Sequence, residues 1–153
     1  MSDLRPGDLL AVSRGNILAN FSASVLFVCR HMRVPATAEN SETSRLWLCP
    51  PIKRFLSCVT VSAVVADFCQ WGEPWLKPSK VIGCFVDLER LSRRCKFRNM
   101  LVCSASGAPH INSRGQTPQG VFWTHIAEAY PRPFARQLAK ILNNGVSRVV
   151  LKC

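Results

Sequence analysis

Three cysteines and one histidine are the residues of this sequence whose types and spacing most clearly allow chemistry. Cys95, Cys103 and His110 are separated by seven and six residues, and Cys69 lies upstream at the end of a strongly apolar segment. Three thiolates and an imidazole form a tetrahedral ligand set that zinc favours. The spacing is not a paired Cys-x-x-Cys, so buried free thiols, with His110 in a turn after Pro109, are the alternative interpretation.

The cysteines as a group favour a reducing compartment. The chain has 8 cysteines, and its first residues show no charged-then-apolar signal pattern, so a disulfide framework is not expected. The most apolar stretch, residues 17–29, is interrupted by Asn20, Ser22 and Ser24, and we expect it to be too short and too polar to span a bilayer. The sequence thus predicts an intracellular protein, nuclear or cytoplasmic and not secreted, with no membrane partner.

The charge balance favours a polyanionic partner. With 20 basic and 9 acidic residues the net charge is +11, which suits DNA or RNA, although a solvated basic surface is the alternative. Trp71 and Trp75, in a Gly/Pro-rich turn, could stack on an exposed base. The local basic group best placed to contact phosphates, or else to form a solvated helix face, is Arg90, Arg93, Arg94, Lys96 and Arg98.

The first third of the chain predicts a helix, a strand and a second helical region. Residues 7–33 are expected to form one long helix that ends before Pro35. Residues 34–40 predict a short buried strand. Residues 46–55 predict a helix in two pieces, because Pro50-Pro51 interrupts it, with Ser41 and Thr43 as its caps. The apolar stripe of the first helix is Leu10, Ile17, Phe21, Val25, Val28 and Met32.

The rest of the chain predicts two strands, an irregular segment and a closing helix. Residues 59–68 and 80–86 are rich in β-branched residues and are expected to pair antiparallel. Asp87 could cap a short basic helix through Arg94, and residues 95–125 show no clear periodicity. A helix over residues 131–142 is expected to end at Gly145. Its predicted buried face is Phe134, Leu138, Ile141 and Leu142.

This order of elements indicates one α/β layer. A length of 153 residues suits a single domain. We expect about three strands with an antiparallel edge pair, flanked by helices. Residues 7–86 would form the core, residues 87–125 an irregular basic Cys/His segment, and residues 129–145 the closing helix.

Three segments, in order, resemble the C-terminal half of cytosine-5 DNA methyltransferases. Ala38-Glu39-Asn40, at the end of a predicted strand, resembles the Glu-Asn-Val motif of that family. Residues 68–83 resemble its Tyr-Gly-x-Pro-Gln-x-Arg-x-Arg segment, which joins the last two strands. Residues 129–139 resemble its closing helix motif, Ala-Val-Pro-Pro-Pro-Leu-Ala-x-x-Ile-Ala.

The chain is similar, more closely, to a divergent set of methyltransferase-like proteins from protist genomes and their mobile elements. Residues 39–47 resemble their Glu-Asn-Pro-x-x-Ser-Arg-Leu-Trp motif, and residues 67–77 resemble their Asp-Phe-Cys-x-Phe-Gly-x-Pro-Trp-x-Lys motif. Residues 103–110 resemble their Cys-Ser-x-x-Gly-x-Pro-His stretch. The resemblance implies a Rossmann-like methyltransferase sheet, of which residues 1–153 would be a partial domain.

The resemblance assigns a catalytic position to Glu39. In this family a thiolate adds to C6 of cytosine, and a glutamate near N3 stabilises the negative charge that develops there. Lys77 and Lys80 stand where the family has two arginines that face the base and backbone, although lysine lacks the bidentate fork. The alternatives are that Glu39 caps a helix that starts near Ser41, and that the two lysines are solvated in a turn.

The resemblance also implies that parts of the site are missing. Nothing before residue 33 matches the Gly-rich turn that holds S-adenosylmethionine, and only Cys49 adjoins a proline, in the wrong order for the nucleophile motif. The strand at 34–40 would then have an open edge. We therefore expect a truncated methyltransferase-like protein, inactive alone. The alternatives are one part of an active enzyme that a separate N-terminal half completes, and a small basic nucleic-acid-binding module that uses residues 87–110.

Overall fold

The computed structural model describes residues 6–97, 102–111 and 115–150. Within these ranges the chain is mixed α/β, with helices around one three-stranded antiparallel sheet in the order β1-β3-β2, as the sequence predicted at this level. The helices and strands are α1 Pro6–His31, β1 Ala36–Ser41, α2 Pro50–Leu56, β2 Val61–Asp67, β3 Pro78–Cys84, α3 Trp123–Ile126 and α4 Arg132–Val150. Short 3₁₀ turns are Arg45–Leu48, Phe68–Trp71 and Glu89–Leu91.

The third strand lies in the centre of the sheet. Val81 of β3 is paired with Glu39 of β1 on one side and with Val64 of β2 on the other, both antiparallel. Since β1 and β2 both run opposite to β3, they run parallel to each other, and α2 connects them. A helix that connects two parallel strands makes a βαβ unit, here with an antiparallel strand inserted between its two strands.

Two hydrophobic clusters hold the sheet to its helices. Neighbouring residues of a strand point to opposite faces, and Val81 belongs to one cluster while Ile82 belongs to the other. On the side of Ile82, Leu26 of α1 and Phe55 of α2 complete the cluster. On the side of Val81, Phe134 of α4 does so. Burial of each such side chain stabilises the fold by about 1.5–3 kcal/mol.

The apolar stripe predicted for α1 is not its buried face. The helix is buried instead through Ala19, Ala23 and Leu26, and it packs on α2, β1 and β3. Apolar residues lie on more than one face of this helix, so periodicity alone could not choose the face that contacts the sheet. The six residues of the predicted stripe, all between 43 % and 66 % exposed, are Leu10, Ile17, Phe21, Val25, Val28 and Met32.

The helix α1 also bears on the membrane prediction. By length and composition alone, Gly7–His31 is long and apolar enough to cross a membrane, which corrects the expectation that this region is too short and too polar. A single helix of this kind near an N-terminus is weak evidence, since core helices and signal sequences share the same properties. The absence of a membrane partner therefore stays a prediction.

The helical region after β1 has two pieces, as predicted, but its caps differ. Ser44 caps the first piece, because its Oγ accepts a hydrogen bond of 3.2 Å from the N–H of Leu46. Ser41 and Thr43, the predicted caps, instead share a hydrogen bond between their hydroxyls. Pro50 begins α2 rather than interrupting it, since proline lacks only an N–H that would be unpaired in the first turn anyway.

The basic helix predicted for residues 87–94 is reduced to one 3₁₀ turn, Glu89–Leu91. Beyond it, tertiary hydrogen bonds replace helical ones. The N–H of Asp67 donates to the carbonyl of Arg93 at 2.8 Å, and the N–H of Cys95 donates to Oδ2 of Asp67 at 2.7 Å. The chain is thereby held in an extended form across the carboxyl end of β2.

The closing helix α4 continues past Gly145, which was predicted to end it. A Cβ at this buried glycine would lie 2.8 Å from the carbonyl oxygen of Phe85 and 3.0 Å from side-chain atoms of Pro35. Gly145 therefore allows close packing of α4 and does not terminate it. Phe134 and Ile141 are buried as predicted.

Candidate metal centre

The four predicted metal ligands lie together near the carboxyl end of β2. One ligand atom from each of Cys69, Cys95, Cys103 and His110 lies within 4.8 Å of all the others, and the Nε2 atom of His110 is 3.8 Å from Sγ of Cys95. A tetrahedron with Zn–S of about 2.3 Å and Zn–N of about 2.0 Å separates its ligand atoms by about 3.5–3.8 Å. The cluster could therefore hold a metal ion such as zinc.

Three separate segments supply these ligands. Cys69 lies in the 3₁₀ turn that directly follows β2, and Cys95 lies in the extended segment that crosses the end of this strand. Cys103 and His110 come from one loop, where the N–H of Cys103 donates to the carbonyl of Ala108 at 2.8 Å. The cluster thus joins a loop with few apolar contacts of its own to the end of the sheet.

Hydrogen-bond donors surround the sulfur atoms. The N–H of Ser104 lies 3.4 Å from Sγ of Cys95, and the N–H of Ala105 lies 3.4 Å from Sγ of Cys103. The side-chain amide of Gln70 donates to the Sγ atoms of Cys69 at 3.5 Å and of Cys103 at 3.4 Å. Donors of this kind stabilise the thiolate form, which is the form that binds a metal.

Burial and these donors together give the three thiols different pKa values. Burial raises the pKa of Cys69 to about 12, against a weaker opposite effect of Gln70. For Cys103 burial also acts upward, but the backbone N–H groups of Ala105 and Ser106 lower its pKa to about 7. Burial likewise acts upward on Cys95, and hydrogen bonds from Ser104 bring its pKa below the usual value.

A buried carboxylate positions one ligand. Asp67, at the end of β2, is fully buried, and its Oδ2 accepts the N–H of Cys95. The same oxygen is 3.5 Å from Nε of Arg94, whose Nη1 is 3.1 Å from Oε1 of Glu42. Arg94 therefore links the segment after β1 to the end of β2, so this basic residue has a structural partner on each side.

The predicted catalytic residue Glu39 lies in β1 and contacts the start of the closing helix. Its Oε2 accepts a hydrogen bond of 3.0 Å from the hydroxyl of Tyr130, while its Oε1 is buried with no described hydrogen-bond partner. The alternative that Glu39 caps the following helix is wrong, because Ser44 has that role.

The two lysines assigned to base and backbone contacts are half-buried, and neither is a solvated turn residue. Nζ of Lys77 donates to the carbonyl of Ala127 at 2.7 Å and lies 5.1 Å from the centroid of the Phe68 ring. Nζ of Lys80 lies 5.2 Å from the centroid of the Trp47 ring. Lys77 therefore ties the turn before β3 to the segment before α4.

The two tryptophans proposed for base stacking are buried. Trp71 is 4 % and Trp75 is 8 % exposed, because the turn folds back onto the core beside Phe134. The guanidinium of Arg93 lies 3.9 Å from the centroid of the Trp71 ring and covers that face. Neither indole is open to an incoming base in this conformation, which corrects the expectation from the Gly/Pro-rich sequence.

The remaining predicted phosphate-contact residues are only partly described. Arg90 and Lys96 are exposed, whereas Arg98 lies outside the described residues. Two further members also have structural contacts: Arg94 lies between Asp67 and Glu42, and the exposed Arg93 stacks on Trp71.

Three supporting residues were missed in the sequence. Gln70 and Ser104 each adjoin a predicted ligand, and Asp67 is an acid at the end of a strongly apolar strand. An acidic residue in such a position is a signal, because a buried carboxylate needs hydrogen-bond donors around it. Its partners, Cys95 and Arg94, could not be identified from separation along the chain alone.

Comparisons with known proteins give no relative for this arrangement: no family model, no curated protein and no solved structure matches the chain.

Proposed function

We propose that Cys69, Cys95, Cys103 and His110 bind one structural zinc ion, and that this ion holds the loop of residues 102–111 to the carboxyl end of β2. The observation that carries the proposal is the convergence of four zinc-type ligand atoms within 4.8 Å of one another from three segments. Four protein ligands fill a tetrahedral site and leave no position for substrate, which is typical of structural rather than catalytic zinc.

Zinc content is the direct test. The purified chain, exchanged into metal-free buffer, should retain about one zinc per chain by elemental analysis, and Cys103→Ser should lose most of it. Cys58→Ser is the matched control, since Cys58 lies outside the cluster. Retention of zinc by Cys103→Ser, or no zinc in a folded wild-type chain, would contradict the proposal. Circular dichroism of each variant separates loss of metal from loss of fold.

We further propose that the zinc-bearing chain is part of a Rossmann-like, methyltransferase-like domain that does not catalyse a reaction alone. Two observations support this. The parallel strands β1 and β2 are connected through α2, as in α/β sheets of that kind. Glu39 and Asn40 lie near the carboxyl end of β1, and ligands of α/β sheets bind at the carboxyl ends of strands.

The surface beside β1 supports completion by a separate N-terminal half. In the described part of the chain β1 pairs with β3 alone, so its other edge is open. Beside it, α1 exposes Phe21, Val28 and other apolar side chains. An open edge next to an apolar helix face is a surface that a further strand and helix could cover. S-adenosylmethionine would then be held by the completing half.

Donor binding tests this proposal. Titration calorimetry of the isolated zinc-loaded chain with S-adenosylmethionine should give no heat of binding, and detectable binding would contradict it. The second test mixes the chain with a separately encoded half that has the Gly-rich and Pro-Cys motifs. The mixture should methylate DNA when the chain is wild type and should lose this activity with Glu39→Gln. Glu89→Gln, an exposed acid elsewhere on the chain, is the control.

A small basic nucleic-acid-binding module is the second candidate function. The net charge of +11 and the exposed side chains of Arg90 and Lys96 favour it. Binding of labelled DNA and RNA oligonucleotides at low salt tests it, and a folded chain that binds neither would exclude it.

A further inference from the structure

An open, positively charged cleft lies at the end of the sheet opposite the candidate metal centre. It has a volume of about 640 Å³, and its lining includes Arg30, Arg33 and Arg148 together with the imidazole of His31. Thr60, before β2, and Phe85, after β3, also line it. None of the described residues that line it is acidic.

The three guanidinium groups and the imidazole come from parts of the chain that are distant in sequence. Arg30 and His31 end α1, Arg33 follows it, and Arg148 lies in the last turns of α4. A cation near a helix C-terminus interacts favourably with the helix dipole, and this accounts for each charge separately. It does not account for the convergence of three guanidinium groups from two helix ends on one cleft, where like charges repel each other.

Backbone conformation gives a second observation. In the described residues, Arg33 (φ 55°) and Phe85 (φ 56°) are the non-glycine positions with positive φ, and both line this cleft. Arg33 occupies the left-handed position after α1, where the N–H of Val34 donates to the carbonyl of Cys29 at 2.7 Å. Glycine is the usual residue there because it adopts this conformation without strain. An arginine at this position therefore adopts a conformation that is less favourable for it than for glycine.

One side chain of the cleft is already oriented. Nε of Arg30 donates to Oγ1 of Thr60 at 3.2 Å, while its Nη atoms make no hydrogen bond to a described residue. The planar guanidinium fork matches two phosphate oxygens at once. Three guanidinium groups around an open cleft are suited to a multiply charged anion such as phosphate, and not to an apolar ligand.

We propose that this cleft binds a backbone phosphate of a nucleic acid. The net charge of +11 favours a polyanion over a small single anion, because the field of the whole chain adds to the local contacts. The site is distinct from the exposed basic residues Arg90 and Lys96, and it does not depend on zinc or on methyltransferase chemistry. The other phosphate sources, free phosphate and a lipid headgroup, are separated by the test.

The experiment measures anisotropy of fluorescein-labelled single-stranded and duplex DNA over a range of salt concentrations, with the full zinc-loaded chain. Arg33→Gly and Arg148→Gln should each weaken binding several-fold and lower the salt slope by about 0.7–0.9, the value for one lost phosphate contact. Arg136→Gln is the matched control: it removes the same charge from an exposed site of α4 about 18 Å along the helix from Arg148.

Arg33→Gly also separates a binding role from a structural one. Relief of the left-handed strain should raise the thermal midpoint while DNA affinity falls, and a variant that loses affinity because it unfolds cannot show this combination. Equal affinity of the Arg33, Arg148 and Arg136 variants would overturn the proposal, as would loss of binding only in Arg90→Gln/Lys96→Gln. The proposal would also be overturned if the chain bound no DNA, while it bound pyrophosphate or phosphatidylserine vesicles and the cleft variants weakened that binding.

Discussion

The hydroxyl of Tyr130 donates a hydrogen bond of 3.0 Å to Oε2 of Glu39 and so connects the start of α4 to β1 across 91 positions of the chain. Tyr130 also packs on Phe68 and Phe134. Burial first, and then the charge and hydrogen bond of Glu39, raise the pKa of Tyr130 to about 12. The contact engages only one carboxylate oxygen of Glu39, since Oε1 has no described hydrogen-bond partner.

Titration of Tyr130 tests this contact directly, since it is the single tyrosine of the chain. Absorbance near 295 nm should report a pKa of about 12 in the wild type, and a lower value in Glu39→Gln that still exceeds the ordinary 10.0, because burial remains. Glu89→Gln should leave the titration unchanged. A pKa near 10 in the folded wild type would show that the contact does not form.

The same pKa gives the sign of a pH dependence. Tyr130 has a higher pKa in the folded chain than in the unfolded chain, so the folded state holds its proton more tightly. Its contribution to stability is complete below pH 10 and is lost as the pH rises towards 12. The urea midpoint of the wild type should fall over this window more steeply than that of Tyr130→Phe.

Strong local patterns predicted the elements of the sheet. The β-branched run of residues 59–68 predicted β2, and the closing helix and the two helical pieces after β1 were also found near their observed positions. These patterns depend on residues close in sequence. The face of α1 that contacts the sheet depends on packing partners elsewhere, and its apolar residues occur on several faces, so the prediction failed there.

The candidate metal centre was predictable for a chemical reason. Thiols and imidazoles have few structural roles in an irregular segment, so Cys95, Cys103 and His110 were informative by type alone. The charged cleft was not predictable, because arginines are common on surfaces and Arg30 and Arg148 are more than a hundred residues apart. Burial of Trp71 likewise depends on how the turn folds onto α4.

Alanine substitution at two helical glycines should change the free energy of unfolding in opposite directions. Gly145→Ala should destabilise the fold by about 1–3 kcal/mol, since a Cβ there lies 2.8 Å from the carbonyl of Phe85, which is backbone and cannot rotate away. Gly15→Ala in α1 meets nothing within 4 Å and should stabilise it by about 0.5–1 kcal/mol. Urea unfolding of both variants checks this, and equal effects would show that α4 does not pack closely at Gly145.

Two phenylalanines, Phe55 of α2 and Phe21 of α1, test whether the exposed face of α1 is uncovered in solution. Phe55 is 0 % and Phe21 is 66 % exposed. Phe55→Ala should cost about 3–5 kcal/mol, whereas Phe21→Ala should change the free energy of unfolding by less than about 0.5 kcal/mol. The measurement is urea unfolding at low protein concentration. A large loss for Phe21→Ala would mean that the apolar stripe of α1 is covered in solution.

The pair Arg94 and Asp67 gives the last prediction. Asp67 is fully buried and has Arg94 at 3.5 Å, so Arg94→Met removes one charge partner of this carboxylate. The substitution should cost about 1–3 kcal/mol, less than the loss of a fully buried pair, because the side chain of Arg94 is 34 % exposed. In an Asp67→Asn background, where the buried charge is absent, the same substitution should cost markedly less, and the difference is the coupling energy of the pair.

Zinc retention tests the second contact of Asp67, the hydrogen bond from Cys95. Since Asp67 also accepts the N–H of Cys95 at 2.7 Å, Asp67→Leu should weaken zinc retention against a chelator more than Asp67→Asn, which keeps an oxygen acceptor. Both are measured by the rate at which a colorimetric chelator removes the metal. Additive costs in the cycle would mean that Arg94 and Asp67 do not interact, and equal chelation rates for the two Asp67 variants would mean that this carboxylate does not position Cys95.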